Sequence, residues 1–234
     1  MNMTILRQAT LCVALSAMLL GREVMANDVI FRDDFSSGEL TSPSLSDGGH
    51  MWLPKSGDVG IETFTTNEHP SEITGLVFSD KTNNQIFIDL KNPVRGELIV
   101  RVSLMQVTVG MANPTFGIGI QNKTTGAEYF EDFSPSPEYF STDSQKSGFH
   151  TYDKTGDILP GSDGVAFPID GQAHTIELIF NPLDGLRVTL DGQVVAEWAN
   201  FRQIEEIDRI MLRNGKGLRW CVRDIEIEAA NVSK

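Results

Sequence analysis

The sequence has little cysteine, and that limits how the chain can be stabilised. Its 234 residues include two cysteines, Cys12 and Cys221. Cys12 lies in an N-terminal leader, so the mature chain keeps one thiol and no intrachain disulfide is possible. We expect Cys221, inside the strand-like run Trp220-Cys221-Val222, to be a buried and unreactive thiol. The fold must therefore be stabilised by its core.

The first 26 residues have the pattern of a secretory signal peptide. Arg7 supplies a positive charge, Ala9–Leu20 an apolar run, and Val24-Met25-Ala26 a small-residue cleavage motif. The apolar run is shorter than the roughly 20 residues of a membrane-spanning helix. We therefore expect cleavage after Ala26, a secreted or periplasmic protein without a membrane anchor, and one monomeric domain over residues 27–234.

Basic charge is also scarce. The sequence has 19 Lys and Arg against 32 Asp and Glu, a net charge of −13. Removing the leader takes away Arg7, Arg22 and Glu23 and leaves −14. This balance argues against nucleic acid or an anionic membrane as the partner, because phosphates require Lys and Arg. HExxH, GxSxG and phosphate-binding glycine motifs are absent, and the four histidines are scattered.

Strand patterns dominate what is present. From Asp170 to Trp198, apolar and polar residues alternate with period two in three short runs, and Asp-Gly turns punctuate them. Such alternation predicts antiparallel sheet with one buried face. Ten strands are predicted in all: Val29–Phe35, Gly75–Phe78, Gln85–Leu90, Glu97–Val109, Thr115–Gln121, His174–Phe180, Leu186–Leu190, Val194–Trp198, Asp208–Leu212 and Leu218–Glu228. They predict an all-β, two-sheet antiparallel sandwich of the jelly-roll kind.

Three segments lack this alternation. Glu131–Gly164 is rich in Pro, Ser and Asp yet holds several aromatic residues, and we expect a long functional loop there. Thr41–Asp58 is expected to be a second long loop, and Phe201–Ile207 a single helical turn.

The strand pattern of Asp170–Trp198 resembles the paired strands of laminin-G-like and other concanavalin A-like lectin and glucanase domains. The run FRDDFSSGEL (Phe31–Leu40) and the run LRWCVRDIEIEA (Leu218–Ala229) resemble the first and last strands of such secreted jelly rolls. The resemblance covers about a third of the chain. It implies the concanavalin A-like fold and a glycan as ligand, and it carries no catalytic residue across.

Aromatic residues are candidates for binding a glycan, because sugars stack their C–H faces on aromatic rings. Trp52, Tyr139 and Tyr152 lie in the two expected loops and are predicted to contact the ligand. Trp198 and Trp220 share the parity of core residues or lie in an apolar run, so we expect both in the core.

Polar candidates come from the parity opposite the apolar stripe. Arg101 and Gln121 stand on this parity of two successive long strands, and with His150 they are predicted to line one cleft. Glu177 and Arg187 have the same character. In jelly rolls that bind glycans, such side chains line the concave sheet, although any solvated sheet face shows the same alternation.

A structural calcium ion is a further expectation. Asp33 and Asp34 on the first strand and Asp224 on the last fit the way that jelly rolls join these strands through acidic groups, although no calcium-loop motif supports it. Two sequons, at Asn122 and Asn231, matter only where the source glycosylates its proteins.

Three functions remain open from the sequence. The first is an exported carbohydrate-binding protein. The second is a polysaccharide-degrading enzyme: a hydrolase needs two flanking carboxylates, whose usual motif is absent, and a lyase needs the Arg, Gln, His and Tyr types found at Arg101, Gln121, His150 and Tyr152. The third is an extracellular structural or adhesion module.

Overall fold

A computed structural model gives the fold of the chain. It describes residues 27–39, 51–56, 58–66, 70–108, 115–125, 127–133, 149–153, 158–159, 167–168, 170–199, 204–215, 217 and 219–230. Within these ranges the chain forms fifteen strands and no helix. The strands are β1 (Asn27–Asp33), β2 (Met51–Ser56), β3 (Val59–Phe64), β4 (Ile73–Phe78), β5 (Asn84–Val94), β6 (Leu98–Thr108), β7 (Phe116–Asn122), β8 (Ala127–Phe133), β9 (Phe149–Asp153), β10 (Ile158–Leu159), β11 (His174–Asn181), β12 (Gly185–Leu190), β13 (Gln193–Ala199), β14 (Ile207–Asn214) and β15 (Arg219–Ala230).

The strands form two antiparallel sheets that pack as a sandwich, as the sequence predicted. Sheet A has eight strands in the order β13-β12-β11-β6-β15-β4-β3, and β1 pairs with one half of β15. Sheet B has seven strands in the order β10-β9-β8-β7-β14-β5-β2. The long strand β15 has β6 on one side and both β1 and β4 on the other, so the first described strand pairs with the last.

The core lies between the sheets and follows the period-two alternation. Val100 and Val102 of β6 face Ile210 and Leu212 of β14 across this layer as members of one buried cluster. Trp220 is fully buried among aromatic rings and is confirmed as a core residue, whereas Trp198 is only partly buried and packs against the edge of the cluster. Each fully buried large apolar side chain stabilises the fold by about 1.5–3 kcal/mol.

A pair of asparagines joins the start of β5 to the end of β14. Asn84 begins β5 and Asn214 ends β14, and both are almost completely buried. Asn84 Nδ2 donates to Asn214 Oδ1 at 2.8 Å, and Asn214 Nδ2 donates to the carbonyl oxygen of Ser79 at 3.0 Å. Asn84 Oδ1 accepts from the amide of Asp58 at 2.6 Å. Because buried polar groups stabilise only when paired, this network holds one end of both sheets together.

Cys221 is buried, as expected. Cys221 lies in β15 next to Gly75 of β4. A Cβ atom at position 75 would lie only 2.5 Å from the Cys221 sulfur. Burial raises the pKa of the Cys221 thiol to about 12. The thiol is therefore protonated at neutral pH, and it is a weak nucleophile in that form.

All ten predicted strands are present, but five further strands were missed. They are β2, β3, β8, β9 and β10. The expected loop Thr41–Asp58 contains β2, and the expected loop Glu131–Gly164 contains the end of β8 together with β9 and β10, so both loop predictions were wrong in part. β2 and β10 are edge strands, where a residue such as Pro54 is tolerated and the alternation weakens.

Two other predicted segments lie partly or wholly outside the described residues. In Phe201–Ile207, the described residues 204–206 are irregular and Ile207 begins β14, so this part is not the helical turn that we expected. The expected signal peptide, residues 1–26, lies outside the described residues, and β1 starts at Asn27. Within the described ranges, no helix is long and apolar enough to cross a membrane.

Candidate functional site

The outer face of sheet B carries a group of polar side chains on three neighbouring strands. The isoleucines of β5, β7 and β14 point into the core. The alternate residues of these strands therefore form the outer surface, which we call the sheet-B outer face. Its members are Gln85, Phe87 and Asp89 of β5, Arg209, Met211 and Arg213 of β14, and Gly117, Gly119 and Gln121 of β7.

Arg209 and Asp89 form the central ion pair of this face. The Nε of Arg209 lies 2.5 Å from Asp89 Oδ1, and its Nη2 lies 3.1 Å from Oδ2. The Arg209 guanidinium also lies over the ring of Phe87, 4.7 Å from its centroid. A bidentate pair stacked on an aromatic ring holds a guanidinium in one orientation.

The charges around Asp89 favour its ionised form. Burial by itself raises the pKa of Asp89, but hydrogen bonds from Arg209 and Lys123 outweigh it and lower that pKa. The Nζ of Lys123 lies 3.2 Å from Asp89 Oδ2. The hydrogen bond to Asp89 likewise raises the pKa of Arg209. Two cations thus share one carboxylate at this end of the face.

Two glutamines flank Met211 in the middle of the face. Gln85 Nε2 lies 2.8 Å and Gln121 Nε2 3.9 Å from the sulfur of Met211. Phe87 and Met211 are only 2% and 1% exposed, although neither belongs to the buried cluster between the two sheets. The glutamines, Asp89 and both arginines remain partly exposed. A ligand on this face would therefore meet amide, carboxylate and guanidinium groups.

Some of the predicted ligand residues come together on sheet B. Gln121 lies on the sheet-B outer face. Tyr152 pairs with Phe130, which pairs with Gly119, so the backbone register places Tyr152 in a cross-strand row of that face. By the same register, His150 lies in the row of Gly117, through Asp132.

Of the two other predicted aromatic residues, one stands in a different cross-strand row and the other is not described. Trp52 pairs with Ile88, in the row of the core isoleucines Ile210 and Ile120, and it lies in a strand where we expected a loop. Tyr139 lies outside the described residues.

Arg101 does not join Gln121, and the prediction of one cleft lined by both was wrong. Arg101 belongs to β6 of sheet A and points away from the core, so the two side chains lie on opposite outer surfaces of the sandwich. Its Nε lies 2.5 Å from Glu177, and its Nη1 donates to Glu226 at 3.1 Å and also to Glu228. Burial lowers the pKa of Arg101, but its hydrogen bonds with Glu228 and Glu177 outweigh that effect and raise it.

The three aspartates expected to bind calcium do not converge. Asp33 is buried and accepts from the amide of Phe35 at 2.8 Å, whereas Asp34 is exposed and accepts from the amide of Ser36 at 3.0 Å. Asp33 pairs with Ile225, a core residue of β15. Asp224 directly precedes Ile225, so its position belongs to the opposite face of the strand. Within the described ranges, no three His, Cys, Asp or Glu side chains are grouped to hold a metal ion. This donor set does not fit a calcium site.

The sequon at Asn122 has a structural role. Asn122 ends β7 and is 8% exposed. Its Nδ2 donates to the carbonyl oxygen of Glu206 at 2.8 Å, and its Oδ1 accepts from the amide of Thr125 at 2.9 Å. This amide nitrogen is therefore buried and engaged. Asn231 lies outside the described residues.

Sequence reasoning missed most of the polar members of this face. Gln85, Asp89, Arg209 and Arg213 lie within strands that were predicted or directly beside them, on the parity opposite the isoleucines. That alternation was the available signal. What it did not contain was the strand order that makes β5, β14 and β7 neighbours.

Comparison with known proteins identifies the fold. No family model and no curated protein matches the chain. Among solved structures it is similar to the cellulose induced protein Cip1, with 16% identity over 84% of this chain and 95% of that one and a TM-score of 0.54. It is also similar to a protein of unknown function with a galectin-like fold from Bacillus subtilis, with 10% identity, coverage of 88% and 100% and a TM-score of 0.54.

A third similar structure is the transglycosylase Crh5, with 16% identity over 86% of this chain and 84% of that one and a TM-score of 0.50. At these identities the likeness concerns the fold. The chain shares with these structures the two-sheet antiparallel β-sandwich fold that the sequence predicted.

Proposed function

We propose that the protein is an exported carbohydrate-binding sandwich that binds a polysaccharide on the sheet-B outer face. The observation that carries this proposal is the set of partly exposed planar groups on three adjacent strands, Gln85, Asp89, Gln121 and Arg209. Planar amide, carboxylate and guanidinium groups match the paired hydroxyls of a sugar, because each can make two parallel hydrogen bonds.

Preorganisation supports this proposal. The guanidinium of Arg209 is fixed by Asp89 and by the ring of Phe87 before any ligand arrives. Two of its N–H groups donate to Asp89, and no other described side chain accepts from it. The donors that remain are held in a fixed orientation, so binding a hydroxyl there costs little side-chain entropy.

The fold comparisons supply further support. One similar structure has a galectin-like fold and another is a transglycosylase. Fold alone does not define a function, since one fold serves many ligands. The proposed ligand is therefore inferred from the side chains of the sheet-B outer face.

Export rests on the leader and on where the fold begins. Residues 1–26 have the signal-peptide pattern, and β1 starts at the next residue, Asn27. The side chain of Asn27 donates to Glu97 Oε1 at 3.1 Å, and that of Asn181 donates to the other oxygen of Glu97 at 3.1 Å. A chain that begins at Asn27 would thus keep every described strand. We expect a secreted or periplasmic location.

Affinity electrophoresis against soluble polysaccharides tests the proposal. The panel is laminarin, xylan, galactomannan, alginate and polygalacturonate. We expect retardation by at least one, and loss of most of it in the double variant Gln85→Ala/Gln121→Ala. The matched control is Gln193→Ala, an exposed glutamine on the edge strand β13 of sheet A. Failure to bind any member, or binding that the double variant leaves intact, would contradict the proposal.

A polysaccharide-degrading enzyme is the second candidate, because the register gathers the right residue types on one sheet. On β14, Arg209 continues the row of Gln121, Arg213 continues the row of His150 on β9, and Met211 continues the row of Tyr152 on β9. A lyase needs a group that neutralises a uronate carboxylate and groups that move a proton, which Arg or Gln, His and Tyr can do. Ultraviolet absorbance from an unsaturated uronate, or new reducing ends, would identify catalysis. Binding without either product would leave the first function.

A further inference from the structure

A histidine between two carboxylates closes one end of sheet A. His174 begins β11 and is 14% exposed in its side chain. Its Nδ1 lies 2.7 Å from Asp191 Oδ2, and its Nε2 lies 3.0 Å from Asp170 Oδ1. Both ring nitrogens are therefore within hydrogen-bond distance of an oxygen that can only accept.

This geometry requires the protonated ring. Neutral imidazole has one N–H, so one of the two contacts would set a nitrogen lone pair against a carboxylate. The imidazolium has two N–H groups and satisfies both contacts at once. The arrangement of the three side chains thus selects the charged state of His174.

The two carboxylates come from different parts of the chain: Asp170 lies four residues before His174 and Asp191 lies 17 residues after it. Asp191 is the first residue of the β12–β13 turn, with a positive φ of 50°, and its Oδ1 also accepts from the amide of Thr175 at 2.8 Å. Asp170 opens the entry loop, residues 170–173, which leads into β11, and its Oδ1 also accepts from the amide of Gln172 at 2.9 Å. His174 is the contact that joins this turn to this loop.

The histidine also contacts the core. The ring of Phe167, which is fully buried, meets His174 edge-on with centroids 5.5 Å apart, and it packs against Trp220 at 5.4 Å. Leu104 is the paired position on the neighbouring strand β6. Among the described residues, Asp170 and Asp191 are the titratable groups that face His174.

We propose that His174 is a protonation-dependent latch that holds the entry loop, residues 170–173, to the tip of the β12–β13 hairpin. In sequence, this loop is the return path from the segment Glu131–Gly164 to sheet A. The latch is closed when the imidazolium donates to both carboxylates. Loss of the proton breaks one contact and frees the loop from the hairpin.

The direction of the pH dependence follows from the pKa of each group. Burial lowers the pKa of His174, but Asp191 and Asp170 outweigh it and raise that pKa above its ordinary value of 6.5. The latch therefore contributes its full stability below the pKa of the unfolded state and loses it as pH rises through the folded pKa. On the acid side, the hydrogen bond from His174 lowers the pKa of Asp170, so its contribution is lost only in strong acid.

Two-bond proton–nitrogen NMR of the intact protein tests the latch. We expect both ring nitrogens of His174 to be protonated at pH 6, with a titration midpoint above 6.5. Asp170→Asn should lower that midpoint by about one unit, because it removes a neighbouring negative charge. The matched control Asp184→Asn, in the exposed β11–β12 turn, should leave the midpoint unchanged.

Hydrogen exchange gives a second measurement that needs no variant. After correction for intrinsic rates, protection of the Thr175 amide should fall about tenfold as pH rises through the midpoint. The Leu183 amide, which donates to Asn181 Oδ1 in the neighbouring turn, should show no such step. A neutral His174 tautomer at pH 6, or a midpoint that Asp170→Asn does not move, would overturn the proposal.

Discussion

The two outer surfaces of the sandwich look alike in sequence and differ in what their arginines do. On sheet A, Arg101 donates to glutamates on both neighbouring strands, Glu177 on β11 and Glu226 and Glu228 on β15. On sheet B, Arg209 pairs with a single carboxylate, Asp89. Both arginines stand on the outward parity of a strand between apolar residues.

The difference lies in the balance of charge around each arginine. Three glutamates surround Arg101, and Arg32 lies 3.7 Å from one of them, so acidic groups outnumber basic ones. Arg209 and Lys123 both contact the single carboxylate of Asp89, and Asp208 acts on Arg209 through its charge alone. Arg101 neutralises glutamates on its own sheet. Arg209 keeps N–H groups that do not donate to Asp89. Outward parity identifies a polar face, and the neighbouring strands decide whether that face can bind.

The largest effect should follow the loss of Arg101. Arg101→Ala leaves three partly buried glutamates facing one another, and we expect it to lower the free energy of unfolding by about 2–3 kcal/mol. Polysaccharide binding by the folded variant should be unchanged, because Arg101 lies on the surface opposite to the proposed site. Urea denaturation and affinity electrophoresis measure the two quantities. Arg101→Lys should recover part of the stability. A variant that kept its stability and lost binding would reverse the comparison.

Arg209 should give the opposite result. We expect Arg209→Ala to weaken polysaccharide binding about tenfold or more, which corresponds to about 1.4 kcal/mol. The loss of stability should be smaller, about 1 kcal/mol, because one partly exposed ion pair disappears.

The matched control for Arg209 is Arg187→Ala. It removes an exposed arginine that pairs with Glu197 on the outer surface of sheet A, with Nη2 2.6 Å from the carboxylate. Neither stability nor binding should change measurably. Equal loss of binding in both variants would mean that the ligand senses general charge, and the distinction between the two surfaces would fail.

Alternation predicted much of the fold because it is a local property. The strands around Val100, Ile118 and Leu178 have a clear apolar parity, and all were predicted. β2, β8 and β9 were missed because their sequences mix charged, aromatic and proline residues without one apolar side. β2 pairs with β5 and β9 pairs with β8 across longer intervening segments, so a short window around β2 or β9 does not contain its partner.

The site was less predictable for a related reason. Gln121 was placed on an outward face correctly, yet it was combined with Arg101, the outward arginine of the preceding predicted strand. In the fold, the strand after β6 crosses to the other sheet, so neighbours in sequence lie on opposite surfaces. The true neighbour of Gln121 is Arg209, 88 residues later in the chain. Such pairing depends on topology, which period-two patterns do not specify.

The smallest effect should come from Lys123, which tests the charge balance on sheet B most finely. Lys123 lies at the surface, 3.2 Å from Asp89, so Lys123→Ala should lower the free energy of unfolding by less than about 0.5 kcal/mol at pH 6. Its charge helps to lower the pKa of Asp89, and an acid with a lowered pKa stabilises the fold above its unfolded pKa and loses that contribution as pH falls through the folded one. The difference between wild type and variant should therefore vanish in strong acid, where Asp89 is protonated in both. Urea denaturation at pH 6 and at successively lower pH measures it, provided both proteins remain folded. A difference that persisted unchanged in acid would show that Lys123 acts by packing, and Arg209 alone would then account for the charge at the site.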